Sequence, residues 1–267
     1  IWKTKFYINP SKSAFMSAYD QPLYYEIAFS FFDVEEQMDL FERYIDEYSE
    51  IEVERILDIA CGSSLQLREL AKRGYECIGL DLSDEMLEYL SEKAEEEDVD
   101  IDTVKADMTD FELDEKVDMA FMLMGTIGLI QSNEDFLSHL DSVADSLRNG
   151  GLYLIENLKL DWDSDDFFGK DEWTEKRDGI EVKTTYSFDL KNALKQEAVE
   201  TITLEVDDHG DDKTIEDERV EKIIFPQEFV SLIDCNGKFE FVGWFERYEI
   251  ESLEEAKNDN LIVLRKK

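Results

Sequence analysis

An α/β architecture, doubly wound about a mostly parallel sheet and carrying an antiparallel β insertion, is predicted by three observations. Short strands alternate with amphipathic helices from Glu54 to Glu156. The strands read as unbroken apolar runs, as in a sheet covered on both faces. After Asn157 the rhythm changes to longer runs of β character separated by turn residues. With 267 residues, 43% of them hydrophobic, the chain has the size and composition of one folded α/β domain bearing an insertion.

The elements follow in order. The first 33 residues are rich in aromatics: Phe6, Tyr7, Phe15, Tyr19, Tyr24, Tyr25, Phe29, Phe31 and Phe32. Val34–Tyr48 has helical spacing, with Met38, Leu40, Phe41, Tyr44 and Ile45 on one side. Strands are predicted at 54–60 and 75–81, with a helix at 64–73 between them. Ser83 is a good N-cap for a helix over 84–97. Strands at 101–106 and 117–124 come next. A helix at 133–148 is expected to stop at Gly150-Gly151, ahead of a strand at Leu152–Glu156. Leu158–Arg177 is acidic and aromatic. Ile180–Leu190, Ala198–Val206 and Arg219–Phe225 have β character, with Asp208-His209-Gly210 as a turn. Pro226 opens a short helix, Gln227–Cys235. Phe239–Tyr248 and Leu261–Arg265 bring the main sheet to seven strands. The expected divisions are a helical cap (1–53), a core (54–157), the insertion (158–225), and a closing helix with the last two strands (226–267).

Charge narrows the function classes. Sixty-seven acidic residues against 28 basic ones give a formal net charge of −39. Such a surface repels phosphate backbones, which argues against nucleic acid as a partner. It predicts adaptation to high salt, where a Debye length of about 3 Å at 1 M makes the self-repulsion tolerable. No apolar run approaches the roughly 20 residues that span a membrane. Ile1–Tyr7 carries two lysines but no apolar stretch follows, so no signal peptide is expected. Cys61, Cys77 and Cys235 fit no zinc spacing, and their odd count argues for reduced thiols in a cytoplasmic protein. With His139 and His209 the only histidines, a histidine-rich metal site is excluded. The acidic run Glu92–Asp100 reads as a solvated helix end.

The most informative stretch is Ile56-Leu57-Asp58-Ile59-Ala60-Cys61-Gly62-Ser63-Ser64, a buried strand followed by a tight turn and a helix start. The next strand, Cys77-Ile78-Gly79-Leu80, ends in Asp81, placed to bind both hydroxyls of a ribose. A dinucleotide site would use G-x-G-x-x-G to admit a pyrophosphate. Here the spacing is every second residue, Asp58-x-Ala60-x-Gly62-x-Ser64, and an acid leads it. That acid disfavours a dinucleotide oxidoreductase. It suits a ligand that carries an ammonium group and no phosphate.

At these residues the chain resembles the class I S-adenosylmethionine (SAM)-dependent methyltransferases, of the small-molecule type with a β-rich insertion after the fifth strand. The resemblance covers roughly residues 19–157 and the last two strands. Asp58, Ala60, Gly62 and Ser64 match that family's acid and G-x-G-x-G turn, with alanine and serine at the first and third glycines. Gly79-Leu80-Asp81-Leu82-Ser83-Asp84-Glu85-Met86-Leu87 matches its second-strand motif, and Ala106-Asp107-Met108 its adenine-contacting acid and the amide after it. The strand end Leu123-Met124-Gly125 and the stretch Leu147-Arg148-Asn149-Gly150-Gly151-Leu152 complete four ordered matches. The resemblance implies a Rossmann-like fold, SAM as cofactor and S-adenosylhomocysteine as product. It implies a cofactor site drawn from Asp58, Ala60, Cys61, Gly62, Asp81, Leu82, Met86, Asp107, Met108, Met124 and Tyr19.

The acceptor is expected above the carboxyl ends of the strands, roofed by the N-terminal segment and the insertion. Candidate walls are Tyr19, Tyr24, Tyr25, Met124, Ile127, Asn157, Trp162 and Trp173, since aromatic faces suit a sulfonium. Glu156, at a strand tip, and Tyr25 are the candidate catalytic residues; His139 is expected to lie away from the site. Methyl transfer to an amine needs only loss of a proton, whereas a hydroxyl wants a base or metal. Met124-Gly125-Thr126-Ile127 differs from the Asn/Asp-Pro-Pro-Tyr string of enzymes acting on base or amide nitrogens. The expected acceptor is therefore a nitrogen or oxygen of a small molecule, with the protein a monomer or homodimer and no membrane partner. A glycine- or sarcosine-type acceptor remains open, although Asn157-Leu158-Lys159-Leu160-Asp161 lacks the arginine that type carries; Lys159 or Arg177 would have to replace it. The alternative is a SAM-binding sensor or partner subunit without turnover.

Overall fold

The computed structural model describes residues 17–162, 164–165 and 167–267. The aromatics Phe6, Tyr7 and Phe15 lie outside them, as does the first part of the expected cap. The chain begins with a 3-10 turn at Ala18–Asp20, then α1 (Pro22–Ala28) and α2 (Val34–Tyr48). The core runs β1 (Arg55–Ile59), α3 (Leu65–Lys72), β2 (Glu76–Asp81), α4 (Asp84–Glu96), β3 (Ile101–Lys105), β4 (Val117–Met122), α5 (Asn133–Ser146) and β5 (Leu147–Glu156). Four strands follow: β6 (Gly169–Arg177), β7 (Ile180–Asn192), β8 (Glu197–Asp208) and β9 (Asp211–Lys222). The last elements are α6 (Pro226–Asn236), β10 (Phe239–Glu246) and β11 (Asn260–Lys266).

The main sheet has the order β10-β11-β5-β4-β1-β2-β3; β1 to β5 and β10 run in one direction, and β11, antiparallel to both β5 and β10, runs in the other. Alternate residues feed two apolar layers, as the pleat requires. Leu57, Ile59, Ala120, Met122 and Ile155 face α5 and α6 through Phe136, Leu140, Phe229 and Ile233. Ile56, Met119, Phe121 and Leu154 face α2, α3 and α4 through Phe41, Leu67 and Leu90. Local chemistry sets the helix starts. The side chains of Asp33, Ser83 and Ser132 each accept from a backbone N–H three residues on, at 3.0–3.2 Å. After β1 the chain turns towards β2 and β3; β4 lies on β1's other side and leads to β5. The carboxyl ends of β1 and β4 therefore flank a crevice at the switch in strand order.

The insertion is a four-stranded antiparallel sheet, β6-β7-β8-β9. Two of its hairpins turn on two residues with positive φ, Asp178-Gly179 and His209-Gly210, the primed geometry that follows strand twist. Its inner face, including Val182, Ile202, Leu204 and Ile215, packs on Ala18, Tyr24, Ile27 and Ala28. The N-terminal elements and the insertion thus share one small core above the main sheet.

Three expectations change. Strand β6 was read only as an acidic, aromatic segment; it has an exposed, polar face, and its order comes from pairing with β7. β9 begins at Asp211 rather than Arg219, because only Ile215 and Glu221 of its twelve residues are buried. Gly150-Gly151 does not stop α5. The helix ends at Ser146, Leu147 is already extended, and both glycines lie inside β5. At Gly151 an added Cβ would sit 2.3 Å from the Asp118 carbonyl oxygen on β4. The glycine is there for strand approach beside a register shift between Val117 and Met119. Gly151→Ala should therefore cost about 3 kcal/mol, the scale of overpacking, rather than the roughly 1 kcal/mol of a lost helix stop. Thermal denaturation should show a fall of roughly 6–12 °C.

Candidate functional site

The turn after β1 puts three alternate residues into the left-handed region: Ala60 (φ 58°), Gly62 (φ 54°) and Ser64 (φ 32°). These are the three positions of the glycine spacing, so the backbone path persists where alanine and serine stand. A side chain there costs about 1–2 kcal/mol per residue. Ser64 recovers part of this. It N-caps α3, accepting from the Leu67 N–H at 3.1 Å, and its hydroxyl donates to Asp58 Oδ2 at 2.6 Å. The Gly62 N–H donates to Asp81 Oδ2 at 2.8 Å and the Ser83 N–H to Oδ1 at 2.9 Å. Asp81 is thereby held at the tip of β2 with lone pairs left for a ligand. Cys61 is buried beneath the turn, where Gly79 leaves room for its sulfur; burial and the charges of Asp58 and Asp81 push its thiol well up. It is a packing group, not a nucleophile.

These residues line a cavity of about 750 Å³ at the crevice, together with Leu82, Asp107, Met108, Met124, Tyr19 and Tyr25. Asp107 closes its own turn, with Oδ1 accepting from the N–H and hydroxyl of Thr109 at 2.9 and 2.7 Å. His139 lies behind this wall. It is buried between the Met108 carbonyl and the Tyr153 hydroxyl at 2.7 and 2.8 Å, and burial lowers its pKa to about 4.

The cavity's electrostatics are one-sided. Among its described walls are seven acids (Asp20, Glu26, Asp58, Asp81, Glu85, Asp107 and Asp135), whereas Arg219 is the one cation, stacked 3.3 Å from the Tyr19 ring centroid. Burial raises the Asp58 carboxyl well above the usual carboxylate range; the charges of Asp81 and Glu156 add to this and the Ser64 hydrogen bond opposes it. A buried acid of this kind gains from a cationic partner. A pyrophosphate would be repelled. A cationic nucleoside with free ribose hydroxyls fits.

A second cavity of about 310 Å³ adjoins the first and shares Tyr19, Tyr25, Phe29, Phe32, Met124, Thr126, Leu129 and Arg219 with it. Its roof is the insertion sheet, through Tyr186, Glu200, Ile202 and Glu221. Asn157, Lys159 and Trp173 also line it. The Tyr19 and Tyr25 hydroxyls lie 3.4 Å apart at the junction, and burial pushes the Tyr25 pKa up to about 12. A phenol so reluctant to ionise serves as a polar wall, not as a base at neutral pH.

Several expected site residues stand elsewhere. Glu156 is 1% exposed and lines neither cavity. It accepts from Arg247 Nε and Nη2 at 2.9 and 3.2 Å, from Gln37 Nε2 at 2.9 Å and from the Met124 N–H at 3.3 Å. Its lone pairs are committed to tying β5 to α2 and to the segment after β10, so it is no free base. Met86 is fully buried below Gly62 and supports the turn without reaching the cavity. Tyr24 donates to Asp208 at 2.7 Å, Ile127 is in the core, Trp162 stacks on Phe225, and Arg177 pairs with Glu26 at 2.6 Å; none of the four lines either cavity. Sequence reasoning missed Phe29, Phe32, Arg219, Tyr186, Glu200 and Glu221. For the last pair a signal existed. Glu200 shares the parity of buried Ala198, Ile202 and Leu204, and Glu221 that of Ile215, so both acids fall on the inward face of the insertion.

Comparison with known proteins places part of the chain in a known domain family. Residues 56–151 match the family model described as a methyltransferase domain. The dTDP-3-amino-3,4,6-trideoxy-alpha-D-glucopyranose N,N-dimethyltransferase of Streptomyces venezuelae is 27% identical over 156 residues, 57% of this chain and 62% of its own. The chain spans less than two thirds of the length of the curated relatives it matches. An S-adenosylmethionine-dependent methyltransferase from Clostridium acetobutylicum shares the fold with a TM-score of 0.74 at 16% identity, covering 91% of this chain and 96% of that one. SAM-bound CalS10, an amino pentose methyltransferase from Micromonospora echinaspora, does so with 0.71 at 15% identity, covering 96% and 99%. These relatives support neither the glycine or sarcosine reading nor the reading without turnover. The domain match, the strand order and the acid-led turn converge on a methyltransferase domain over residues 56–151, set in a fold shared with SAM-dependent methyltransferases.

Proposed function

We propose that this protein methylates a nitrogen of a small-molecule acceptor of the amino-sugar type. The observation that carries the reading is the pair of joined cavities: an acidic, nucleoside-sized chamber opens through an aromatic junction into a smaller chamber roofed by the insertion. The amino-sugar class is favoured by the relatives that act on such compounds.

In this reading Asp81 takes the ribose hydroxyls, Asp58 the ammonium, and Asp107 with the Met108 N–H the adenine edge. Bound SAM supplies an electrophilic methyl on a sulfonium. Tyr19, Tyr25, Phe29 and Phe32 line the junction, exclude water and present electron-rich faces to positive charge. Nitrogen is favoured over oxygen because no strong base lines the junction among the described residues, and an amine needs only to lose one proton.

The net charge of −39 supports a further part of the proposal, adaptation to high salt. Exposed acids such as Glu92, Glu95 and Glu96 on α4 carry repulsion that dissolved ions screen.

Calorimetric titration with SAM tests the cofactor assignments. Asp81→Ala should abolish binding while leaving the circular dichroism spectrum intact; retained micromolar binding refutes the site. Asp58→Asn should weaken binding by about tenfold or more, as expected for a lost charged hydrogen bond. The same variant tests the burial of Asp58. Its raised pKa means that the folded state holds the proton more tightly than the unfolded chain does. Stability is therefore lost as pH rises from the ordinary carboxylate range through the raised value. Cofactor-free Asp58→Asn should melt above the parent at pH 8, with the difference shrinking towards pH 4. For salt, the melting temperature should rise by about 10 °C or more between 0.1 M and 3 M KCl; an unchanged value sinks that part of the proposal.

A further inference from the structure

Glu200 on β8 and Glu221 on β9 are diagonal neighbours across a paired register, since Glu200 faces Arg219 and Ala198 faces Glu221. Both line the second cavity. Glu221 is 4% exposed, and its Oε2 has no hydrogen-bond donor among the described residues. Space for this carboxyl is made by Gly128, where a Cβ would lie 2.8 Å from Oε2. A second buried acceptor, Oδ1 of Asn157, also lacks a donor and belongs to the same chamber.

The cations around the pair are engaged. Arg219 pairs with Asp217 at 3.0 Å and stacks on Tyr19. Arg247 is held by Glu156 at 2.9 Å. Lys159 donates to the Tyr186 hydroxyl at 2.8 Å and sits over the Tyr186 and Phe188 rings. Burial raises the Glu221 carboxyl well above its usual range, followed by the charge of Glu200 and a hydrogen bond to it; Lys159 and Arg219 pull it down. Burial, then the charges of Glu200 and Glu221, push Tyr186 up as well. Burial beside a second carboxyl disfavours two negative charges at this place, and the raised Glu221 carboxyl follows from that.

Resting on the methyltransferase reading above, we propose that Glu200 and Glu221 form the seat of the acceptor's amino group, accepting its N–H hydrogen bonds and taking the proton it sheds. In that step an N–H bond of the ammonium breaks and an O–H bond forms on a carboxylate oxygen of the pair. The electron pair stays on nitrogen, and the positive and negative charges are both neutralised. The buried, donorless Oε2 of Glu221 leaves the pair an acceptor with no donor of its own, which selects a cationic amine over a neutral hydroxyl. The aromatic walls Phe29, Trp173 and Tyr186 complete a cation-binding enclosure.

The test uses the full chain saturated with S-adenosylhomocysteine and two probes of one shape, cyclohexylamine and cyclohexanol, titrated calorimetrically at pH 7. The amine should bind at least about tenfold more tightly. Glu221→Gln and the double variant Glu200→Gln/Glu221→Gln should lose that preference while keeping the parent affinity for S-adenosylhomocysteine, which also certifies the fold. The protonated-carboxyl infrared absorption of the parent should lose one component in Glu221→Gln, and an unchanged band overturns the proposal. Equal affinities for the two probes, measurable or not, or a preference that survives in the double variant, overturn the proposal and leave the methyltransferase reading standing. Failure of the parent to bind S-adenosylhomocysteine overturns that reading and this one with it.

Discussion

Five residues after β1 must turn the chain three times through the left-handed region, at Ala60, Gly62 and Ser64, and the site is organised around that constraint. The turn presents the Gly62 N–H to Asp81 and so joins the tips of β1 and β2. It also places Ser64 where one hydroxyl both caps α3 and donates to the buried Asp58. Glycines at the first and third positions would relieve backbone strain but would supply neither bond. The side chains that replace them exchange conformational freedom for rigidity around the leading acid.

The second determinant is the roof. The four-stranded insertion and the N-terminal helical elements bury each other's apolar faces in a core separate from the two layers of the main sheet. This pairing lets Tyr19 and Tyr25, from one end of the described chain, meet Arg219, from a strand about 200 residues later. The same roof brings Glu200 and Glu221 into the wall of the second cavity. A Rossmann-like sheet supplies the crevice at the switch in strand order, and the added sheet walls the cavity beside it.

Much of this was legible in the chain. The strand runs, the cap at Ser83 and the helix Val34–Tyr48 follow from period and local hydrogen-bonding chemistry, and the structure has them. The turn and its acids were legible because the left-handed geometry and the strand-tip carboxylate leave a local signature. Glu156 and Met86 were misplaced for one reason: position along the chain located them near the mouth, but the direction in which each side chain points depends on neighbours far away in sequence. Arg247 claims Glu156, and the underside of Gly62 claims Met86. Gly150-Gly151 misled because glycine after a helix usually ends it, whereas here close approach of β4 demands it. Strand β6 left no apolar pattern, since pairing with β7, not burial, holds it in place.

By itself, then, the sequence determined the doubly wound core, the carboxylates beside the turn at the strand ends, and a formal net charge of −39. Those properties are carried by periodicity, by local turns and by counting charges. Only the tertiary structure decided which acids stay free. Glu156 is paired with Arg247 at the tip of β5, while Glu221 is buried on the inner face of the insertion with its Oε2 lacking a donor among the described residues. That distinction depends on partners brought together across 91 residues in the first case and on a vacancy beside Gly128 in the second. Neither leaves a trace in local sequence, because the energy of a buried charge is set by what surrounds it in space.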